Sequence, residues 1–559
     1  MNRLATVRRC VAALLTLAGI AGAQDQARLE HRVDSLFAAQ AQGLNPGVAV
    51  VVVRDGKVLL HKGYGYASLE NRVPITPTTV FDVASVSKQF TGLAVAMLIQ
   101  DGRIKLTDDI HKYIPELGDL GHTVTIDNLL HHTSGIRDWP GTLSVAGWRY
   151  DDVISFDQIL HFAYGQRSTN FVPGAEYTYS NTGFNLLAET VQRVTGQPFR
   201  VWTDDHLFGP LGMTDSHFRD DHTRVIPNRA SGYTRGPGGT YQAVANNLTA
   251  LGSSSLFSTV DDLAKWVMNF DDAKVGGAAA MAMTRTRGVL NDGSAIPYAF
   301  GIVNGDYRGQ PNVNHSGGWA GFSTFVLHFP KQRFGVVVLA NAANINAGRA
   351  AYDLADMYLD SELAPRATVA QSGVTKGPAV SVAPATLDRY AGVYRLGPGA
   401  YTRVRRNGGT LESQATHEGA APMTPRSDTT FWVDGYNAPM IFQRNGADGR
   451  VQLVYRGVRS PRLDESTAFS ASQLVQFAGL YESDELQTRY RVEVKDGALV
   501  MRHPRHGTIA LTWLWGNDFG GASSFMRSVE FQRDGAGKVT GFAVNVDERS
   551  RNIQFAKRE

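Results

Sequence analysis

Cysteine is almost missing from this chain. Its 559 residues contain one, Cys10, and that one lies in an N-terminal segment of removable character. The remainder has no thiol for disulfides, metal ligation or nucleophilic attack. A large charge of either sign is missing too. Lys and Arg number 55 against 52 Asp and Glu, for a net charge of +3. That balance offers no field for nucleic acid or an anionic membrane surface, and no basic run with interleaved aromatics occurs. No nucleic-acid partner is expected. There is no H-E-x-x-H or other spaced ligand set, so neither a metal nor another cofactor is expected, and the adjacent His131 and His132 read as loop residues near a site. Beyond the first two dozen residues no stretch is apolar enough to span a bilayer.

The N-terminus itself is distinctive. Arg3, Arg8 and Arg9 precede an apolar run from Cys10 to Ile20, which closes on Ala21-Gly22-Ala23. This is the order of a secretory signal peptide over residues 1–23. The mature chain is therefore expected in the periplasm or secreted, without a stable membrane anchor. Hydrophobic residues at 43% and charged residues at 19% suit a soluble globular protein of several domains.

Gln26 to Gln42 reads as an amphipathic helix through Leu29, Val33, Leu36 and Phe37. The apolar run Val48 to Val53, a turn at Arg54–Lys57 and a return strand Val58–Tyr64 make a β-hairpin. Patterns from Ser85 to about Trp266 are mainly helical. Strands return at Asn312–Gly318, Phe322–Phe329 and Phe334–Asn341, and a helix follows from Ala347 to Leu359. Strands at both ends with helices between predict an α/β (α+β) domain over 24–362: an antiparallel sheet carrying an inserted helical lobe. Residues 363–386 read as a linker. Beyond it lies an internal repeat. Leu387-Asp388-Arg389-Tyr390-Ala391-Gly392-Val393-Tyr394 matches Leu474-Val475-Gln476-Phe477-Ala478-Gly479-Leu480-Tyr481, and two later segments match in the same order. Short alternating strands in each copy predict two small antiparallel β-barrels, 387–468 and 469–559.

The chemistry centres on Ser85-Val86-Ser87-Lys88. The apolar positions Phe90, Leu93, Ala94, Met97 and Leu98 follow with helical spacing, so Ser85 is expected at a helix start with Lys88 one turn on, beside it. A serine attacks a carbonyl only when a base takes its proton, and a lysine serves only if burial lowers its pKa. A chain of this length carries S-x-x-K by chance about once or twice, so further motifs have to support the pair. Two follow in order: Tyr177-Thr178-Tyr179-Ser180-Asn181 and His315-Ser316-Gly317-Gly318.

The order S-x-x-K, Y-x-N and then a polar residue before x-G resembles the penicillin-recognising serine hydrolases. The branch it is similar to holds class C β-lactamases, D-alanyl-D-alanine carboxypeptidases, D-aminopeptidases and related esterases. Leu129-Leu130-His131-His132-Thr133-Ser134-Gly135 and Ser258-Thr259-Val260-Asp261-Asp262 look like the same family, and the resemblance covers roughly residues 30 to 360. It implies Ser85 as nucleophile, with Lys88 and Tyr179 sharing the acid–base work. It implies Asn181, His315, Ser316 and Gly317 at the substrate, and the N–H groups of Ser85 and Gly318 as oxyanion hole. An acyl-enzyme acting on a small peptide, amide or ester substrate is expected, a D-amino-acid peptide first. A carboxylesterase, a class C-like β-lactamase and a non-catalytic cell-wall peptide-binding protein stay open. Lactamases of this branch usually carry Lys where His315 stands, which leans toward peptidase or esterase. A histidine of ordinary pKa there would switch carboxylate preference near pH 6.5. Trp139, Trp148 and Tyr150 either line the pocket or pack the lobe. The barrels are expected to shape access rather than supply catalytic groups, through loops such as His503–Gly507 or Gly516–Ser524. A chain cut near Arg366 is expected to keep Ser85 reactive. The oligomeric state is not legible.

Overall fold

The computed structural model describes residues 26–366, 378–416, 418–444 and 449–558. The expected signal peptide over 1–23 and residues 367–377 of the expected linker lie outside the described residues.

A six-stranded antiparallel sheet forms from both ends of the hydrolase region. Its strands are β1 (Val48–Arg54), β2 (Lys57–Tyr64), β3 (Val303–Tyr307), β4 (Gln310–Trp319), β5 (Phe322–Phe329) and β6 (Phe334–Ala340), in the spatial order β3-β4-β5-β6-β1-β2. The unbroken valine run of β1 has a physical reason. Val48, Val50 and Val52 face one hydrophobic core, with the helix Ala347–Tyr358 on that side. Ala49, Val51 and Val53 face the other, under the helices Lys88–Gln100 and Val260–Asp272. A strand covered on both faces has no polar side to show. The helical lobe sits between β2 and β3 in the chain, as the pattern of strands predicts.

The helix Lys88–Gln100 is the buried axis of the domain. Ten of its residues are buried, including Lys88, Gln89 and Thr91. Gly92 lies so close to the Phe300 carbonyl that a Cβ would stand 2.0 Å from that oxygen. The α-helix does not begin at Ser85, as the spacing suggests. A 3₁₀ turn, Ala84–Ser87, comes first, and the α-helix begins at Lys88.

The tail repeat is structural. The first copy is an eight-stranded antiparallel sheet whose ends meet at a bridge between Tyr394 and Arg462, and the second is a closed eight-stranded barrel. Each copy opens on the same device. Tyr394 Oη donates to the Tyr390 carbonyl at 2.7 Å, and Tyr481 Oη to the Phe477 carbonyl at 2.7 Å. The matched glycines Gly392 and Gly479 take φ of +156° and +151°, which only glycine adopts readily.

Candidate active site

Ser85 is held at a strained corner. Ala84, a non-glycine residue, has φ +48°, a left-handed conformation costing roughly 1–3 kcal/mol. Its N–H is fixed by the buried Asp82 carboxylate at 2.8 Å. The surrounding backbone is pinned by β4 and β5: Thr324 Oγ1 donates to the Val83 carbonyl at 2.9 Å. Gly317 is required here, because a Cβ would fall 2.2 Å from the Val83 oxygen and 3.2 Å from the Ser85 nitrogen. Any side chain at 317 would push β4 away from Ser85. The neighbouring Gly318 meets no such barrier.

Lys88 is fully buried. Its Nζ lies 3.1 Å from Ser85 Oγ, 2.8 Å from Asn181 Oδ1 and 2.7 Å from the Ser253 carbonyl. Asn181 Oδ1 and the Ser253 carbonyl can only accept. A neutral amine can give them its two N–H donors and turn its lone pair to the Ser85 hydroxyl, whereas an ammonium would donate to all three, so burial rather than the set of neighbours favours the uncharged form. Burial drives the Lys88 pKa well below the ordinary lysine value; the Asp138 carboxylate opposes this and Arg549 adds to it. The partly buried Tyr179 stands against the Ser85 side chain, its ring 4.8 Å from Lys88 Nζ, and desolvation of the phenol holds it protonated.

Asn181 begins the helix Asn181–Thr195, capped by Ser180 Oγ. Its amide is oriented from behind by Asp138, whose two oxygens accept from Asn181 N at 2.7 Å and Nδ2 at 3.0 Å. Burial pushes the Asp138 carboxyl up to about 6, with Arg549 as the largest opposing influence.

His315 does not behave as an ordinary histidine. It is buried, with Nε2 2.8 Å from Tyr298 Oη and Nδ1 2.6 Å from the Ser316 carbonyl. Burial, then the nearby Lys88, push its pKa down to about 3. The switch near pH 6.5 expected from the sequence is therefore corrected: this ring stays neutral over the working range. We predict that the ratio of kcat/KM for a carboxylate-bearing β-lactam to that for a neutral ester is constant within about twofold from about pH 5.5 to about 8.5. A ratio that changes with a midpoint near the free histidine value would contradict the burial argument.

His132 is a further buried histidine of the site. Its Nδ1 accepts from Ser180 N at 3.1 Å and its ring packs 4.2 Å from Tyr179. His131 instead meets Asp127 and the Thr286 carbonyl. Trp139 is buried and packs on Trp319, Trp148 packs on Phe162, and Tyr150 is largely exposed at a side pocket.

The cleft of about 590 Å³ is lined by Ser85, Tyr179, His315, Ser316 and Gly318, and also by Glu548 and Arg549 of the second barrel. These last two come from the turn between its final strands, Val539–Asn545 and Ile553–Lys557. Sequence reasoning missed this loop and named others. Of those, His506 Nε2 bonds the Ser144 carbonyl and Arg505 pairs with Asp152, so that loop grips the helical lobe. Ser524 lines the side pocket next to the cleft.

The turn is sewn to the lobe. Asp138 N donates to the Arg549 carbonyl at 3.0 Å, and Ser550 Oγ to the Asp138 carbonyl at 3.0 Å. Arg137, fully buried, donates to the carbonyls of Arg551 and Asn552 and pairs with Glu485. This changes the expectation for a truncated chain. Removing residues 469–559 would take away those partners of the Arg137 guanidinium and uncover Val145, which packs into the barrel's hydrophobic core. We expect the shortened chain to melt well below the full one and to lose Ser85 labelling. Full labelling with an unchanged melting temperature would show the barrel to be dispensable.

Comparison with known proteins agrees with this architecture. D-aminopeptidase of Gluconobacter oxydans is 29% identical over 315 residues, 56% of this chain and 59% of that one. Protein flp of Staphylococcus aureus is 33% identical over 327 residues, 56% of this chain and 63% of that one. The match thus spans about three fifths of these curated relatives. Among solved structures, the octameric penicillin-binding protein homologue from Pyrococcus abyssi has a TM-score of 0.54 at 22% identity, covering 78% of this chain and 99% of that one. D-amino acid amidase from Ochrobactrum anthropi has a TM-score of 0.50 at 19% identity, covering 60% and 98%. These two show the shared fold. The beta-lactamase family model matches residues 33–358, the segment that carries Ser85, Lys88, Tyr179 and His315, and the chain belongs to that family, the penicillin-recognising serine hydrolases.

Proposed function

We propose that this chain is an exported serine hydrolase that opens an amide or peptide bond of a small D-amino-acid substrate. The observation that carries the reading is the fully buried Lys88 Nζ placed 3.1 Å from Ser85 Oγ and held there by Asn181 and Ser253. Ser85 Oγ attacks the carbonyl carbon while its proton passes to Lys88 Nζ. The oxyanion that forms is met by the N–H groups of Ser85 and Gly318. Collapse breaks the carbon–nitrogen bond, and Tyr179 passes the proton from Lys88 to the departing nitrogen. Water then attacks the Ser85 ester, its proton passes to Lys88 Nζ and on to Ser85 Oγ as the bond from that oxygen to the acyl carbon breaks, and the acid is released. Asn181, oriented by Asp138, and the β4 edge at Ser316 hold the substrate.

Two features support a small aminoacyl substrate. The barrel turn lines the cleft with Glu548 and Arg549, and Glu548 is a carboxylate that a substrate ammonium can pair with. The likeness to a D-aminopeptidase points the same way. Export rests on the order of charge, apolar run and small residues in the first 23 positions. The test is a panel on the purified mature chain: D- and L-aminoacyl amides, D-alanyl peptides, short esters and a chromogenic β-lactam. The expected result is highest kcat/KM on D-aminoacyl amides or short D-peptides. Equal rates on both enantiomers, or hydrolysis confined to esters, would overturn the substrate assignment.

A further inference from the structure

The second barrel sets the Arg549 side chain against the catalytic centre. Its guanidinium carbon lies 5.3 Å from the centre of the Tyr179 ring, and Nη1 lies 4.0 Å from Asp138 Oδ2. Asp138 in turn holds Asn181 by both oxygens, and Asn181 Oδ1 receives Lys88 Nζ. A continuous line therefore runs from the barrel to the nucleophile: Arg549, Asp138, Asn181, Lys88, Ser85. The backbone of residue 549 is fixed independently, because its carbonyl accepts from Asp138 N at 3.0 Å and from Asn170 Nδ2 at 2.7 Å. The guanidinium is thus aimed by bonds that do not involve it.

We propose that Arg549 is a positioning residue for catalysis: by balancing the buried Asp138 carboxylate, it leaves Lys88 free to serve Ser85 as a base. The inference rests on Lys88 being that base. Asp138 is needed because it orients Asn181, yet an unopposed anion behind Asn181 would favour an ammonium at Lys88. The second barrel supplies the opposing cation. The other titratable groups facing Lys88 are uncharged: Tyr179 ahead of the helix Asn181–Thr195, His132 after the helix Ile126–Leu130, and His315 on β4. Glu548 stands beside Arg549 at the exposed rim, 3.8 Å from its Nε. Above the Asp138 pKa of about 6, Asp138 and Arg549 are the charges that set the field at Lys88.

The test is the pH dependence of kcat/KM for a neutral p-nitrophenyl ester in the full-length chain, whose acid limb reports the free enzyme's base. Arg549→Met should move that limb up by about one pH unit, a roughly tenfold loss below it with little change on the alkaline plateau. Arg549→Lys keeps the charge and should hold the limb in place. Asp138→Asn should move it the opposite way, and in the Arg549→Met background should return it toward its original position. A purely structural role would lower the rate at every pH and leave the limb where it was. The proposal is overturned if Arg549→Met and Asp138→Asn both leave the limb unmoved, or both move it in one direction. Should Arg549→Met fold poorly, the direction of the Asp138→Asn shift alone decides. Lys88→Ala is the control for the underlying reading: an acid limb that survives there belongs to another group, and the base assignment fails rather than the role of Arg549.

Discussion

Ser85→Ala is expected to lower kcat by about three orders of magnitude or more, with no change in melting temperature. The size follows from the geometry. Lys88, Tyr179 and the backbone donors serve one atom, Ser85 Oγ, and groups that act as a unit fail together when one is removed. The fold does not depend on that oxygen. The strain at Ala84, the bond from Thr324 to the Val83 carbonyl and the close approach of Gly317 all lie in the neighbouring backbone. Lys88 Nζ loses one neighbour of three and keeps Asn181 and Ser253. The measurement is turnover, fluorophosphonate labelling and a thermal melt on the same preparation, purified free of host hydrolases. Residual turnover within tenfold of the parent would remove the acyl-enzyme mechanism, and a large drop in melting temperature would show that Ser85 also has a structural role.

The core of the site could be read from the sequence because its chemistry sits in short local motifs. Ser85 and Lys88 are three residues apart, Tyr179 and Asn181 two, and His315 to Gly318 are contiguous. The apolar run of β1 and the apolar spacing after Lys88 likewise follow from local rules, and so does the repeated tyrosine of the two barrels. What stayed hidden is carried by distance and by burial. Asp138 and Arg549 are bonded across more than four hundred positions. Arg549 lies in an Asp-Glu-Arg-Ser turn, and such a turn reads as an ordinary solvated hairpin. Nothing local marks it as the residue that reaches Tyr179. His315 shows the second limit. Its position in the motif is legible, but its protonation depends on Tyr298 and on the lid of protein around it, which no spacing encodes. The start of the helix at Lys88 rather than Ser85 is a third case. The strained Ala84 is imposed from outside, by Asp82 and the β4–β5 edge, against the local preference of alanine.

Lys88→Arg should be nearly as inactive as the serine variant, while Lys88→Met keeps more of the fold. A guanidinium cannot give up its proton at working pH, so it cannot receive the one on Ser85. It also presents five donors where the cavity offers three acceptors, Ser85 Oγ, Asn181 Oδ1 and the Ser253 carbonyl. Lys88 has no exposed surface, and the added guanidinium bulk has to be taken up by Asn181, Tyr179 or Phe184, whose ring centre lies 5.7 Å from Nζ. A permanent charge buried there costs several kcal/mol beyond what Asp138 can offset. Methionine fills the same channel without charge. It leaves Asn181 Oδ1 and the Ser253 carbonyl without a donor, at about 1–3 kcal/mol each. The two variants therefore separate the roles of this side chain. Both should lose kcat by about three orders of magnitude, but Lys88→Arg should also unfold at a lower temperature than Lys88→Met. Substantial turnover in the arginine variant would mean that Lys88 only holds Asn181 and Ser253 in place, and that the proton on Ser85 leaves by another route.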